Sequence, residues 1–266
     1  KQDDVLTVNS TNNAVINNAG ESKFFKFTPS ESGKYVIYST TESDVYVHLY
    51  DSSNELIEGN DDAGERYNVK LQYELVAGEK YYFEIKYYDA TETGTIPFTF
   101  GKVYAVSYKA ETYDGVFATQ EKDYGIDLVL DCELPTKEGY TLIGWSTSAT
   151  SSTVAYVIGD TYTNEANVTL YAVWEINTYE VTYDANGGEN APAGQVKTHF
   201  EDLTLATEEP TRFGYTFLGW STDATATTPE YVAGAVFTVE ADTVLYAVWK
   251  QDDVLTVNST NNAVIN

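Results

Sequence analysis

The chain has 266 residues, long enough for two or three domains with separate cores. Against 15 Lys and Arg stand 41 Asp and Glu, a formal net charge of −26 at pH 7. So acidic a surface repels phosphate backbones and anionic headgroups, so neither nucleic acid nor membrane insertion is expected. An aromatic content of 14% argues against disorder, which is poor in aromatics.

The lone cysteine, Cys132, rules out an internal disulfide, so stability must come from packing. No run approaches the roughly 18 apolar residues of a membrane span, and no signal peptide opens the chain. The opening Lys1-Gln-Asp-Asp4 reads as a cut from something longer.

Residues 1–102 carry runs with period-two alternation. They are Lys23-Phe-Phe-Lys-Phe27, Lys34-Tyr-Val-Ile-Tyr38, Val45-Tyr-Val-His-Leu-Tyr50, Val69-Lys-Leu-Gln-Tyr-Glu-Leu75 and Tyr81-Tyr-Phe-Glu-Ile-Lys-Tyr-Tyr88. Short strands at regular spacing, punctuated by glycine, predict an antiparallel, jelly-roll-like β-sandwich. Alternation assigns faces: Val45, Val47 and Leu49 point inward, and Tyr46, His48 and Tyr50 share the other side. Phe25-Lys-Phe-Thr-Pro-Ser-Glu-Ser-Gly-Lys-Tyr35, Ser43 to Asp51, Asn60-Asp-Asp62 and Leu75-Val-Ala-Gly-Glu-Lys-Tyr-Tyr82 resemble the bacterial pre-peptidase C-terminal domain. That resemblance implies a β-sandwich appended to secreted and surface proteins, some members of which bind calcium and relatives of which bind collagen or polysaccharide.

A different pattern takes over from Tyr104. Gly139-Tyr-Thr-Leu-Ile-Gly-Trp-Ser-Thr147 returns as Gly214-Tyr-Thr-Phe-Leu-Gly-Trp-Ser-Thr222, and Leu-Tyr-Ala-Val-Trp closes both copies at 170–174 and 245–249. The four tryptophans, Trp145 with Trp220 and Trp174 with Trp249, fall on one 75-residue repeat and are expected to mark the core of each module. In the second copy Asp184-Ala-Asn-Gly-Gly188 predicts a tight hairpin turn. Tyr179-Glu-Val-Thr-Tyr183 through Leu-Tyr-Ala-Val-Trp249 resembles the Listeria–Bacteroides repeat, or internalin B-repeat. Residues 104–174 resemble its second half but carry Lys109-Ala-Glu-Thr-Tyr113 at the first turn. The resemblance implies small, mainly β, β-grasp-like modules without enzymatic activity.

Residues 250–266 reproduce 1–17 without a change, so the larger period is 249 residues. The expected division is a sandwich at 1–102, repeats at 103–177 and 178–249, and the start of the next unit at 250–266. Short links such as Glu175-Ile-Asn-Thr178 favour a semi-rigid rod. Val254-Leu-Thr-Val257 either stays unordered or pairs with an exposed edge, including one on another molecule.

Catalysis is not expected. His48 and His199 are the only histidines; the first repeat has Tyr124 at the position of His199, and Thr207 stands where the first has Cys132. No Cys/His cluster has zinc spacing. No cofactor is required, and calcium is the metal to consider, with Asp44, Asp51, Asn60, Asp61 and Asp62 as oxygen donors; a polar turn explains Asn60-Asp-Asp-Ala-Gly equally well. The Asp184 turn is not an EF-hand, since glycine stands where a third ligand belongs.

Tyr46, His48 and Tyr50 are the candidate ligand residues, an aromatic strip suited to a polysaccharide or matrix protein, or simply buried under a neighbour. The reading is therefore an extracellular bacterial surface or secreted segment with a structural and adhesive role, its repeats neighbours of one another. A recognition module with the sandwich as its business end is the rival.

Overall fold

The computed structural model describes residues 4–39, 41–61, 69–111 and 114–253, and every regular element among them is a strand. The contacts divide the chain into two compact units. One runs to Pro135 and resumes over Leu142–Trp174; the other takes Thr136–Thr141 and the chain from Glu175 onward.

In the first unit the sandwich is built from β1 (Asp4–Val5), β2 (Ser10–Ile16), β3 (Lys23–Phe27), β4 (Gly33–Ser39), β5 (Val45–Tyr50), β6 (Leu56–Asn60), β7 (Lys70–Leu75), β8 (Tyr81–Tyr87) and β9 (Gly94–Lys109). One sheet has the order β1-β3-β8-β5-β6; in the other, β9 lies between β2 and β4, with β7 beyond. The period-two pattern survives folding. Val45, Val47 and Leu49 are fully buried, and Phe83 and Ile85 of β8 join them against Phe98 and Phe100. Such a side chain contributes about 1.5–3 kcal/mol on leaving water. Phe27 meets Phe100 edge-on at 4.8 Å between centroids, the arrangement the ring quadrupoles favour.

Strand β9 is 16 residues long and serves two cores. Its first half carries Phe98 and Phe100 into the sandwich, and its second half carries Val106 and Tyr108 into the first repeat. There it is flanked by β10 (Ala118–Asp123) and, in parallel, by β14 (Val168–Ile176), with β12 (Tyr140–Ser146) outermost; β11 (Leu128–Val129) and β13 (Thr161–Tyr162) form a small separate ribbon. The joint is fastened from the side. Asp123, almost wholly buried, takes the Lys70 ammonium at 2.5 Å and the Gln72 amide at 2.5 Å, and the Tyr38 hydroxyl donates to the Tyr124 carbonyl at 3.1 Å. At Gly101 a Cβ would come within 2.4 Å of Tyr124 Cβ, so the tyrosine lies directly on the strand.

The second unit repeats the plan with its own opening strand. It contains β15 (Thr178–Asp184), β16 (Gln195–Thr198), β17 (Leu203–Thr204), β18 (Tyr215–Ser221), β19 (Val236–Phe237) and β20 (Thr243–Gln251). The sheet order is β16-β15-β20-β18, with β15 and β20 parallel at the centre, the β-grasp-like order expected. The turn after β15 is tight, with Asn186 at φ 47° and Gly188 N–H donating to the Ala185 carbonyl at 2.9 Å. The antiparallel pair it leads into is joined by a longer connection than a tight hairpin's, however. Beyond the turn Glu189 bridges Thr211, and β16 joins β15 only from Gln195, after Pro192 has removed a donor from the intervening run.

Candidate functional site

On the outer face of β5, Tyr46, His48 and Tyr50 stand in a row, each half-buried. The rings touch along the strand: Tyr46 to His48 at 4.3 Å between centroids, and His48 to Tyr50 at 6.0 Å. Neighbouring strands extend the row, with Tyr88 stacked on Tyr46 at 6.4 Å and Phe24 against Tyr50 at 6.3 Å. Lys86 holds its ammonium 5.4 Å from the Tyr46 centroid. The strip thus lies on the outer side of its own sheet, away from the buried side chains of the sandwich.

Glu84 organises it. Pairing of β5 with β8 places Glu84 opposite His48, and its Oε2 accepts from the Tyr50 hydroxyl at 2.8 Å and meets His48 Nδ1 at 3.1 Å. Burial pushes the Glu84 carboxyl up, but hydrogen bonds from Ser22, His48 and Tyr50 and the charge of Lys86 outweigh it and leave it below the ordinary carboxylate range. The Tyr50 hydroxyl is pushed up to about 12, by burial first and then by its bond to that carboxylate. The result is a charged anchor fixing the orientation of two rings, with flat apolar surface around it. The signal that identifies Glu84 is strand register, which alternation alone does not supply.

Of the five oxygen donors considered for calcium, Asp51 and Asn60 are held apart. Asp51 closes one end of β5, where its Oδ1 caps the Ser53 and Glu55 amides at 2.8 and 2.9 Å. Asp44 precedes the opposite end, and Asn60 pairs across from Val47, four residues and about 13 Å from Asp51 along the strand. Asp61 follows Asn60, and Asp62 lies outside the described residues, as does the tail from Val254. Among the described residues no group of three or more His, Cys, Asp or Glu could hold a metal ion.

Of the tryptophans, Trp145 and Trp220 are fully buried and central to their modules. Trp249 is half-buried at the margin of its core, its indole donating to the Ala185 carbonyl at 3.0 Å, and Trp174 is likewise half-buried. The two modules also share an ion pair that sequence reasoning missed. Lys122 meets Glu165 and Lys197 meets Glu240, each at 2.9 Å, with both lysine side chains essentially inaccessible. The recurrence of both partners at 75 residues was visible in the sequence but lost among the many other acids.

His199 is buried, with its Nδ1 meeting both the Tyr179 hydroxyl at 2.8 Å and Glu240 Oε2 at 3.1 Å. The thiol of Cys132 is pushed up by burial and by Asp131, the opposite of what a nucleophile requires.

Comparison with known proteins agrees with the internal repeats. The model of the Listeria–Bacteroides repeat domain matches residues 104–173 and again 179–248. Internalin H of Listeria monocytogenes is 34% identical over 115 residues, 41% of this chain and 20% of that protein. A protein of Evansella cellulosilytica described as a Gly-rich membrane protein is 35% identical over 115 residues, 43% of this chain and 13% of its own length. The chain therefore spans a fifth or less of the curated relatives it matches. Among solved structures, the pre-peptidase C-terminal domain of a Bacillus anthracis collagenase is 14% identical with a TM-score of 0.32, covering 38% of this chain and 95% of that domain. At that distance the sandwich is read from its own strand order. Two matched copies filling more than half of its length place the chain in the Listeria–Bacteroides repeat family.

Proposed function

We propose that this chain is a structural segment of a bacterial cell-surface or secreted protein, a stalk built of 249-residue units that also provides weak, multivalent attachment. The observation that carries the reading is the sharing of β9: one strand serves both the sandwich and the first repeat, which removes any flexible link at that boundary. The 249-residue period then lengthens the array by identical steps. Small-angle scattering on chains of one, two and three units tests it. The maximum dimension is expected to rise by a constant increment per unit, and growth as roughly the cube root of mass would overturn the stalk.

Catalysis has no part in this reading. Glu84 is held in its charged form and the Cys132 thiol in its neutral one, so that carboxyl is not poised as a general acid nor that thiol as a nucleophile. No described helix is long and apolar enough to cross a membrane, a statement that leaves β-barrels aside.

A second reading rests on the strip of Tyr46, His48 and Tyr50. Flat rings beside a fixed carboxylate suit a polysaccharide or a matrix protein, and repetition along an array multiplies a weak contact. Tyr46→Ala, which removes a half-buried ring and no backbone bond, is the informative variant. On an array of glycans and matrix proteins, run in calcium and in chelator, the parent chain is expected to bind and the variant to lose at least tenfold. Equal binding by the two refutes the strip, and a signal present only in calcium would bring Asp44, Asn60 and Asp61 back as ligands.

A further inference from the structure

We infer that the surface of the second repeat at Phe213, Gly214 and Tyr215 is the seat of the sandwich that opens the next 249-residue unit. The inference rests on the array reading and names the residues that join one unit to the next.

The two repeats release the chain through the same hydrogen bonds. In the first, Asn177 N–H donates to the Gly139 carbonyl at 2.8 Å and Thr141 Oγ1 donates to Asn177 Oδ1 at 2.7 Å. In the second, Asp252 N–H donates to the Gly214 carbonyl at 3.0 Å and Thr216 Oγ1 to Asp252 Oδ1 at 2.6 Å. The surroundings of the two glycines differ. Gly139 is buried, because His199 lies over it so closely that a Cβ would come within 2.2 Å of His199 Cδ2, and Phe200 packs 6.4 Å from the Tyr140 ring. Gly214 is exposed, with nothing within 4 Å of the same position. The module that follows Asn177 covers its seat; among the described residues nothing covers the seat after Asp252.

The bare seat is also the more apolar. Phe213 stands where the first repeat has Glu138, and it is fully exposed at 103%. Arg212 holds its Cζ 3.9 Å from the Tyr215 ring centroid, and an open cavity of about 470 Å³ lined by Gly187, Gly188 and Thr211 adjoins them. A fully exposed phenylalanine beside a stacked Arg–Tyr pair is the composition of a protein-binding surface.

Chain continuity identifies the occupant. Residues 250–266 repeat 1–17, so Asp253 is the counterpart of Asp4, the first residue of β1. No residue separates the anchored Asp252 from a sandwich's first strand, and successive Cα atoms are about 3.8 Å apart. A folded sandwich starting there has to lie against the surface around Gly214. In the sandwich at 1–102 Leu6 is already buried beside β3, two residues after Asp4, which shows how soon the sandwich core begins.

Hydroxyl-radical footprinting tests the seat, comparing the 266-residue chain with one continued through residues 18–102 of a second sandwich. Oxidation of Phe213 is expected to slow at least fivefold in the longer chain, and Phe213→Glu, copying Glu138, is expected to make its 252–253 junction more sensitive to protease. An unchanged Phe213 rate overturns the proposal, as does protection in the shorter chain that rises with concentration, which would assign the seat to a second copy. Constant length increments with Phe213 still exposed would sink the seat and leave the stalk standing.

Discussion

Trp220→Ala is expected to unfold the second repeat and to leave the first unit folded. The ring is wholly buried and packs at 4.8 Å from Tyr183 and 4.9 Å from Phe217. Emptying such a site costs about 3–5 kcal/mol. A module of this size has a total stability of only about 4–10 kcal/mol at ~0.05–0.15 kcal/mol per residue, and its buried cluster beyond Trp220 amounts to Val181, Leu205, Phe237, Leu245 and Ala247. Hydrogen exchange read peptide by peptide should show protection lost over β15 to β20 and retained in β3, β5 and β8. Trp145→Ala should behave differently, because its module shares β9 with the sandwich and a loss there reaches Phe98 and Phe100. Identical exchange patterns for the two variants would refute the division into units.

Gly219→Ala should be nearly as damaging without removing any buried surface. The strand bulges between Phe217 and Gly219, and Gly219 takes φ +144°, a backbone state that L side chains rarely adopt. An added Cβ would sit 2.3 Å from the Tyr231 carbonyl oxygen and 2.7 Å from Pro229 Cβ. The backbone cannot easily withdraw, since Trp220 N–H donates to that same carbonyl at 2.7 Å and Tyr231 N–H returns to Trp220 at 3.0 Å. Strain of this kind costs about 3 kcal/mol, equivalent to roughly 12–24 °C in the melting temperature of so small a domain. Gly144, at φ +149° and 2.6 Å from the Tyr156 carbonyl, should repeat the effect in the first repeat. A shift below about 4 °C at Gly219 would mean that the bulge relaxes. The Gly-Trp pair of the repeated signature is thus one device: the glycine lets the strand bulge, and the bulge seats the tryptophan.

Much of this was legible along the chain. Period-two alternation is a local property, so it assigned Val45, Val47 and Leu49 to the core and Tyr46, His48 and Tyr50 to the opposite face before any partner strand was known. Identity at 75 and 249 residues needs no structure either; it marked the two modules and made Trp145 and Trp220 core residues in place of ligand contacts. Those conclusions hold because alternation and repetition are carried by the residues themselves.

Register and distance were decided only in three dimensions. Glu84 acquired its place between His48 and Tyr50 from the alignment of β5 with β8, and a slip of one residue would have turned it inward. Asp51 and Asn60 stand apart because β5 is long enough to separate them. Glu189 reached Thr211, so the tight turn after β15 opens a long connection and β16 rejoins β15 only from Gln195. Strand β9 shows the limit most plainly. Its alternation breaks at Gly101 to Val103 and resumes from Tyr104, which marks a change of pattern, but nothing in that break says that one strand runs through it from one core into the next. Which core a buried residue joins depends on the sheets that close over it, and those are supplied by chain as far away as β4 and β14.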